Sequence, residues 1–264
     1  MTQRIITGVV AGAVFLGLAI MGGTPFHILV GLLTIIAMSE LFKMRKLEIL
    51  SFEGILATVA ALALALPTTQ YFPKLGTDSH FTLFTLCLFI MMGVMVFTKG
   101  NYSFEDLGFP FLSAFYIGIG FQNLLAAQQS SLFILFLALF IVWSTDSGAY
   151  FIGRKFGKTK LIPSVSPNKT VEGSLGGIAC AIVVAVLMVF LYPNKAPDIN
   201  LFKLIILVAI FSIVGQLGDL VESSLKRHFG VKDSGKILPG HGGILDRFDS
   251  LIFVFPIMHL LGLF

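Results

Sequence analysis

Residues 132–151 read LFILFLALFIVWSTDSGAYF, a run of twenty residues in which Asp146 is the only charged side chain. A helix of this length crosses the roughly 30 Å hydrocarbon core of a bilayer. Similar apolar runs recur along the chain, which has 264 residues, 56% of them hydrophobic and only 12% charged. Soluble domains carry about 25% charged residues. The sequence therefore predicts an all-α, polytopic integral membrane protein, because helices satisfy their own backbone hydrogen bonds in lipid.

The apolar runs predict nine transmembrane helices, at residues 5–21, 26–42, 55–72, 81–97, 109–127, 132–151, 173–192, 201–220 and 248–264. A cytoplasmic N-terminus and an external C-terminus place 15 of the 18 Lys and Arg residues in the cytoplasm. That bias agrees with the positive-inside rule. We expect a multi-pass protein of the cell's inner (cytoplasmic) membrane. Residues 1–127 form a region of five spans with short loops, and residues 128–264 carry two long basic loops that face the cytosol.

Asp146 and Glu40 are carboxylates within the predicted spans that need an explanation. Asp146 costs about 2.5–3.5 kcal/mol to insert at mid-bilayer, so it is expected to face a polar cavity or a partner. The small polar residues around it favour a cavity wall, and an ion pair that serves only helix packing is the alternative. Glu40, near the cytoplasmic end of the second span, is interpreted as an interfacial side chain close to Lys43.

The charged residues that the spans lack are concentrated in residues 223–249, SSLKRHFGVKDSGKILPGHGGILDRFD. Asp219 and Glu222 precede this segment, and Asp246 and Asp249 repeat the same i, i+3 spacing at its end, which puts each pair on one helix face. Hard oxygen ligands without cysteine indicate Mg²⁺. Lys226 or Arg227 would compensate the first pair equally well, and an acid such as Asp249 is ordinary in a first helical turn.

Glycines and cations between the two acidic pairs point to phosphate binding. Gly240, Gly242 and Gly243 surround His241, and such turns let backbone N–H groups approach an anion. The other basic loop offers Lys169 as a ligand contact, with Ser166 or Thr170 as a helix cap. Contact with anionic lipid headgroups is the simpler explanation for basic loops on this side. Histidine, acids and glycines among the cations favour a site for a phosphate-bearing ligand.

Residues 223–249 resemble the signature of bacterial phosphatidate cytidylyltransferases (CDP-diacylglycerol synthases), from Ser223 through Lys232, Asp233 and Leu238-Pro239 to Asp249. Residues 146–154, 166–173 and 218–223 resemble the family more loosely. The resemblance covers about 60 residues, all in the second half. It implies that CTP and phosphatidate react with Mg²⁺ to give CDP-diacylglycerol and pyrophosphate, at a site facing the cytosol.

Under this resemblance each candidate residue has an expected role. The catalytic residues are expected to be Asp219, Asp246, Lys226, Arg227, Arg247 and His241. The substrate-binding residues are expected to be Asp146, Lys169, Ser223, Lys232, Asp233, Gly242 and Gly243. The metal ligands are expected to be Asp219 and Asp246, with Asp249 as a further ligand or as the group that orients Arg247. One or two metal ions remain open.

Two other functions remain open from the sequence. A CTP-dependent lipid kinase of the dolichol kinase type would move a phosphoryl group to an alcohol and would need a general base. A transporter would place polar residues near the midplane in paired halves, whereas the acids here gather at one face of one half. Expected partners are CTP, phosphatidate, membrane lipid and, from the family, a second copy of the chain. No nucleic-acid partner is expected.

Overall fold

The computed structural model describes residues 2–76, 78–97 and 102–264. Helices account for most of these residues, with one short hairpin between the seventh and eighth helix. The helices are α1 Thr2–Met21, α2 Gly23–Met44, α3 Phe52–Ala65, α4 Thr68–Tyr71, α5 Ser79–Phe97, α6 Phe104–Ser130, α7 Leu132–Phe156, α8 Val171–Leu191, α9 Leu201–His228 and α10 Leu245–Leu260. A 3₁₀ turn spans Pro73–Leu75. The hairpin pairs β1 Lys160–Ile162 with β2 Ser166–Thr170 in antiparallel register.

In the described part of the chain, six helices are long and apolar enough to cross a membrane: α2, α5, α6, α7, α8 and α9. The apolar part of α1, Ile6–Met21, and helix α3 are shorter. Large apolar side chains face outward, as on α5, where Phe97 is 85% exposed. The all-α, multi-pass membrane class is thereby confirmed. The count of nine spans and the orientation of the termini stay predictions, and Lys99, one of the predicted cytoplasmic cations, lies outside the described residues.

The predicted third span, residues 55–72, differs most from the structure. Helix α3 ends at Ala65, Leu66 is extended with ψ 153°, and the short α4 follows after Pro67. Proline lacks a backbone N–H and disfavours the helical conformation of the residue before it. The apolar run continues through Pro67, but the helix does not.

The chain divides into two compact units. The first contains Met1–Leu125 together with Val231–Asp246, and the second contains Ala126–Gly230 together with Arg247–Phe264. In the first unit, fully buried side chains of α2 and α6, such as Phe26, Phe42 and Phe121, form much of the core. The glycine-rich loop that precedes α10 therefore packs with the N-terminal helices.

The second unit is built on a close contact between α7 and α8. A Cβ added at Gly148 would lie 2.7 Å from the Cys180 sulfur, and one at Gly177 would lie 2.6 Å from the Thr145 carbonyl oxygen. Small residues at helix interfaces let two backbones approach closely in a membrane. A hydrogen bond of 2.8 Å between the Thr145 and Ser212 hydroxyls joins α7 to α9 in the same core. These contacts fix the helix that carries Asp146.

Candidate active site

A polar cavity of about 440 Å³ opens in the second unit, between α7, the hairpin, α8 and α9. This volume lies within the range of small-molecule sites. Its wall is formed by Asp146, Ala149, Tyr150, Gly153, Arg154, Leu161, Asn168, Lys169, Thr170, Gly173, Ser174, Gln216 and Asp219. Asp146, Lys169 and Asp219, three of the predicted site residues, thus share one cavity. Asn168 and Gln216 were not predicted, because neither side chain carries a charge that would single it out in the sequence.

The hairpin positions Lys169 at the cavity. Thr170 ends β2 and caps α8, since its hydroxyl accepts a hydrogen bond of 3.1 Å from Gly173 N. The Glu172 carboxylate accepts hydrogen bonds from Lys158 N and Thr159 N, both at 3.1 Å, and so fastens the base of the hairpin to α8. The strand and the helix therefore hold Lys169 from both sides. Thr170 confirms the predicted helix cap.

An ion pair links the hairpin to α9. Lys169 Nζ lies 2.6 Å from Asp219 Oδ2, and both side chains are about 30% exposed, with fractions of 27% and 30%. The Ser223 hydroxyl donates to Asp219 Oδ1 at 3.2 Å, from one turn further along α9. Asp219 thus holds a cation and a hydroxyl on its two oxygens. Ser223, predicted to contact substrate, contacts this carboxylate.

Glu222 has a different partner from Asp219. Its side chain is fully buried, and its Oε2 lies 2.5 Å from Lys226 Nζ at the i, i+4 position. Compensation by Lys226, which the sequence left open for both acids, therefore applies to Glu222. Arg227 Nε donates to the Val165 carbonyl oxygen at 3.3 Å, at the tip of the hairpin. Lys169 and Arg227 therefore connect α9 to the hairpin, whereas Lys226 pairs with Glu222 within α9 itself.

Three aspartates form a carboxylate cluster in the second unit. Asp146, Asp219 and Asp249 lie close enough for their charges to repel one another, and Lys169, Lys226 and Arg247 act on the cluster with the opposite sign. Asp249 reaches this position because α10 crosses α9 at Gly218, where an added Cβ would meet the Asp249 carbonyl oxygen at 2.6 Å. Carboxylate oxygens are the type of ligand that Mg²⁺ prefers. Within the described ranges, however, no three His, Cys, Asp or Glu side chains are arranged to hold a metal ion directly.

The loop of residues 231–246, in the first unit, is organised by Asp246. Its Oδ2 accepts hydrogen bonds from Ser234 N at 2.9 Å, Ser234 Oγ at 2.8 Å and Gly243 N at 2.8 Å. Gly240 and Gly242 have φ of +79° and +84°, which glycine adopts without strain. The loop is therefore a closed turn with a carboxylate at its base.

Part of the predicted phosphate cradle is filled by the protein's own carboxylates. Gly243 N donates to Asp246, while Ile244 N and Leu245 N donate to Glu40, each of these last two at 2.9 Å. Glu40 is 3% exposed, so its interpretation as an interfacial side chain is wrong. Phosphate contacts of His241, Gly242 and Gly243 stay predictions.

A second cavity, of about 640 Å³, lies in the first unit between α2 and this loop. Cations and acids from both elements line it, among them Glu40, Lys43, Lys232, Asp233 and Lys236. Apolar side chains complete the wall, including Ile36, Met44 and Ile237. Lys232 and Asp233, which the sequence assigned to substrate, therefore border a cavity of ligand size within this unit.

Comparison with known proteins identifies the family of the chain. The model of the cytidylyltransferase family matches residues 2–264. The chain belongs to the cytidylyltransferase family. Among its relatives, a phosphatidate cytidylyltransferase of Bacillus subtilis is 44% identical over 268 residues, covering 100% of this chain and 98% of that protein. The proteins of the same name from Staphylococcus haemolyticus and Staphylococcus aureus are 42% and 41% identical, each over 99% of this chain and 98% of the relative.

Family membership confirms the resemblance first seen in the glycine-rich segment, and with it the prediction of a nucleotidyltransferase. It also extends the resemblance to the first five predicted spans, which no motif had supported. The predicted site residues of this cytidylyltransferase divide between the two units. The second unit holds Asp146, Lys169, Asp219, Ser223, Lys226, Arg227, Arg247 and Asp249, and the first holds Lys232, Asp233, His241, Gly242, Gly243 and Asp246.

Proposed function

We propose that the chain transfers the cytidylyl group of CTP to phosphatidate and releases pyrophosphate, giving CDP-diacylglycerol for phospholipid synthesis. The family and the names of its relatives support this reaction. The observation that carries the proposal is the Lys169–Asp219 ion pair on the wall of the 440 Å³ cavity. It places a cation, a carboxylate and room for a small molecule at one point.

The reaction needs charge neutralisation more than proton transfer. A phosphate oxygen of phosphatidate attacks the α-phosphorus of CTP, a new phosphoanhydride bond forms, and the bond between the α- and β-phosphates breaks. Because the second pKa of a phosphate monoester is about 6, the nucleophile is ionised near neutral pH and needs no general base. Repulsion between two anionic substrates is the main barrier, so positioned cations carry the catalysis.

The cations of the second unit are suited to this task. Lys169 lines the cavity, and we assign it to a phosphate of CTP or phosphatidate. Lys226, Arg227 and Arg247 would hold further phosphate oxygens. Phosphate contacts of Lys232 and His241, in the first unit, stay predictions. Asp219 would direct the Lys169 ammonium through the ion pair between them. Asp146 would keep the cavity wall polar and hydrated.

We propose Mg²⁺ as the cofactor, held by Asp219 and Asp249 of the carboxylate cluster. When bound, the ion would neutralise phosphate charge. Hard carboxylate oxygens are the ligands that Mg²⁺ prefers, and the repulsion within the cluster would favour a cation there. Asp246 stays the third predicted ligand, although its Oδ2 already organises the loop. Titration of the purified protein with Mg²⁺ measures whether one or two ions bind.

We further propose that the chain lies in a bacterial cell membrane and that its site faces the cytosol, which supplies CTP. Phosphatidate would enter sideways from the inner leaflet, since it cannot leave the bilayer without exposing its acyl chains. The positive-inside rule supports this orientation, because it would assign the basic residues of the hairpin and of α9 to the cytoplasmic side. A homodimer also remains a prediction.

The test is pyrophosphate release by the purified chain in detergent, with CTP, Mg²⁺ and phosphatidate. Diacylglycerol and dolichol serve as alternative acceptors. Pyrophosphate released only with phosphatidate, together with CDP-diacylglycerol in the lipid extract, is the expected result. CDP formed without pyrophosphate on an alcohol acceptor would identify a lipid kinase. Folded protein without turnover on any acceptor would overturn the proposal and favour transport.

A further inference from the structure

Glu40 is a buried carboxylate of the first unit whose two oxygens both accept hydrogen bonds. Its Oε1 accepts from Ile244 N at 2.9 Å, and its Oε2 accepts from Leu245 N at 2.9 Å and from Ser234 Oγ at 3.1 Å. Only 3% of the residue is exposed. A carboxylate buried to this extent is costly unless hydrogen bonds compensate it, and here three donors do so.

The first two donors belong to the start of a helix. Helix α10 begins at Leu245, and the first N–H groups of a helix have no partner within the helix. They also carry the positive end of the helix dipole, which favours a negative charge. Glu40 therefore caps α10 from α2, more than two hundred residues away in sequence. The cap joins the end of the glycine-rich loop to the N-terminal helices.

The third donor, Ser234, connects Glu40 to the start of the same loop. The Ser234 hydroxyl lies within hydrogen-bond distance of Glu40 Oε2 and of Asp246 Oδ2, so the two carboxylates share one hydroxyl. Asp246 also accepts from Ser234 N and Gly243 N. The two carboxylates thus hold both ends of the loop of residues 231–246 together.

Close approach to Glu40 requires two of the loop's glycines. A Cβ at Gly243 would lie 2.5 Å from each carboxylate oxygen of Glu40, and a Cβ at Gly235 would also collide with the carboxyl group. A side chain at either position would clash with the Glu40 carboxyl group in this arrangement. The glycines of the loop therefore serve, at least at these two positions, to admit a buried carboxylate.

We propose that Glu40 is a positioning residue of the transfer reaction. Glu40 acts by holding the loop of residues 231–246, which carries Lys232, Asp233 and His241. By this contact the N-terminal helices set the geometry with which the loop meets substrate. The inference rests on the proposed function, since that substrate is CTP or phosphatidate. The cavity of about 640 Å³ between α2 and the loop, which Glu40, Lys232 and Asp233 all line, is the space that this geometry shapes.

The test compares Glu40→Gln with wild type and with Thr34→Val, a matched control. Thr34 is also fully buried on α2, and its hydroxyl donates only to Val30 O of its own helix. Glutamine keeps the size of Glu40 but replaces one acceptor oxygen by an amide that cannot accept the backbone N–H. We expect kcat/KM to fall on the order of 10- to 100-fold in Glu40→Gln, as for small misplacements of substrate contacts, and to stay within about twofold of wild type in Thr34→Val.

Two readouts separate positioning from a general loss of folded protein. Loss of folded enzyme lowers the maximal rate and leaves KM unchanged, whereas a displaced loop raises KM for CTP or phosphatidate. Hydrogen exchange should also quicken at the amides of Ile244 and Leu245 in Glu40→Gln, with the core of α2 still protected. Combination with Ser234→Ala should give less than the product of the single effects, because both changes release the same loop.

The outcomes are distinct from those of the proposed function. Faster exchange of the loop amides with unchanged kcat/KM would overturn the positioning role, and so would a rate loss with unchanged KM that follows the folded fraction. A wild-type protein without cytidylyl transfer would refute the proposed function instead, while the exchange measurement would still report whether Glu40 holds the loop.

Discussion

Lys169 Nζ and Asp219 Oδ2 are 2.6 Å apart, and this contact joins the hairpin before α8 to α9. Each residue also lines the 440 Å³ cavity. The pair sits where the protein is partly exposed, so solvent screens it and its contribution to stability is small. Under the proposed function, the pair would orient the Lys169 ammonium toward a bound phosphate.

Replacing Lys169 by Met should reduce kcat/KM on the order of 100-fold, because the variant removes a cation from the cavity and leaves Asp219 without its partner. Lys160→Met is the matched control. Lys160 is exposed on the first strand of the same hairpin and does not line the cavity, so its replacement should change kcat/KM by less than about twofold. Steady-state rates of pyrophosphate release measure kcat/KM for both variants. Equal losses in the two variants would exclude a specific role of Lys169 in substrate binding.

Removal of Mg²⁺ by EDTA should abolish turnover, and added Mg²⁺ should restore it. We also expect Mg²⁺ to raise the thermal unfolding midpoint of the wild type in detergent, because an ion that binds only the folded state stabilises it. Asp219→Asn should abolish turnover in a folded protein, and Asp249→Asn should weaken the stabilisation by Mg²⁺. Asp198→Asn, in an exposed loop, is the control and should respond as wild type does. Equal stabilisation of all variants would place the ion elsewhere.

The sequence could predict what depends on local pattern. Apolar runs of about 20 residues predicted the long helices, since a membrane-spanning helix is defined by length and hydropathy. The i, i+4 contacts of α9, Asp219 with Ser223 and Glu222 with Lys226, follow from helix periodicity. Asp146 was expected on a polar cavity because its burial in lipid is costly, and the structure places it there.

Contacts between segments that are distant along the chain could not be predicted from the sequence. Lys169 reaches Asp219 only because the hairpin folds against α9, and three-residue β1 is too short for a period-of-two pattern to reveal it. Glu40 gave a signal, as a lone carboxylate at membrane depth, but its partners Ile244 and Leu245 contribute backbone N–H groups that any residue could supply. No pattern in the sequence identifies such donors.

Thr170→Ala should lower the free energy of unfolding by about 1 kcal/mol, within a range of 0.5–2 kcal/mol, because the hydroxyl that caps α8 is lost. Thr170→Ser keeps the hydroxyl and should lose much less. The cap also ends the strand that carries Lys169, so we expect the alanine variant to lower kcat/KM as well. Thermal unfolding in detergent and initial rates test both effects. A serine variant as unstable as the alanine variant would mean that the methyl group, which lies near Gly157, matters more than the cap.

Gly218→Ala should disturb both stability and turnover. The added methyl group would lie 2.6 Å from the Asp249 carbonyl oxygen, which belongs to backbone and cannot turn aside as a side chain can. Helix α10 would have to move away from α9, and Asp249 would then leave the carboxylate cluster. Overpacking of this kind lowers the free energy of unfolding by about 1–3 kcal/mol.

Gly93→Ala on α5 is the control for Gly218→Ala, since an added Cβ there meets no atom of another described segment within 4 Å. Alanine is intrinsically the better helix former by about 0.5–1 kcal/mol, so a general effect of the substitution would stabilise both variants. We therefore expect the unfolding midpoint to fall in Gly218→Ala alone, with a higher Mg²⁺ concentration needed for half-maximal rate. A stable Gly218→Ala protein with normal Mg²⁺ dependence would show that close contact between α9 and α10 does not position Asp249 for catalysis.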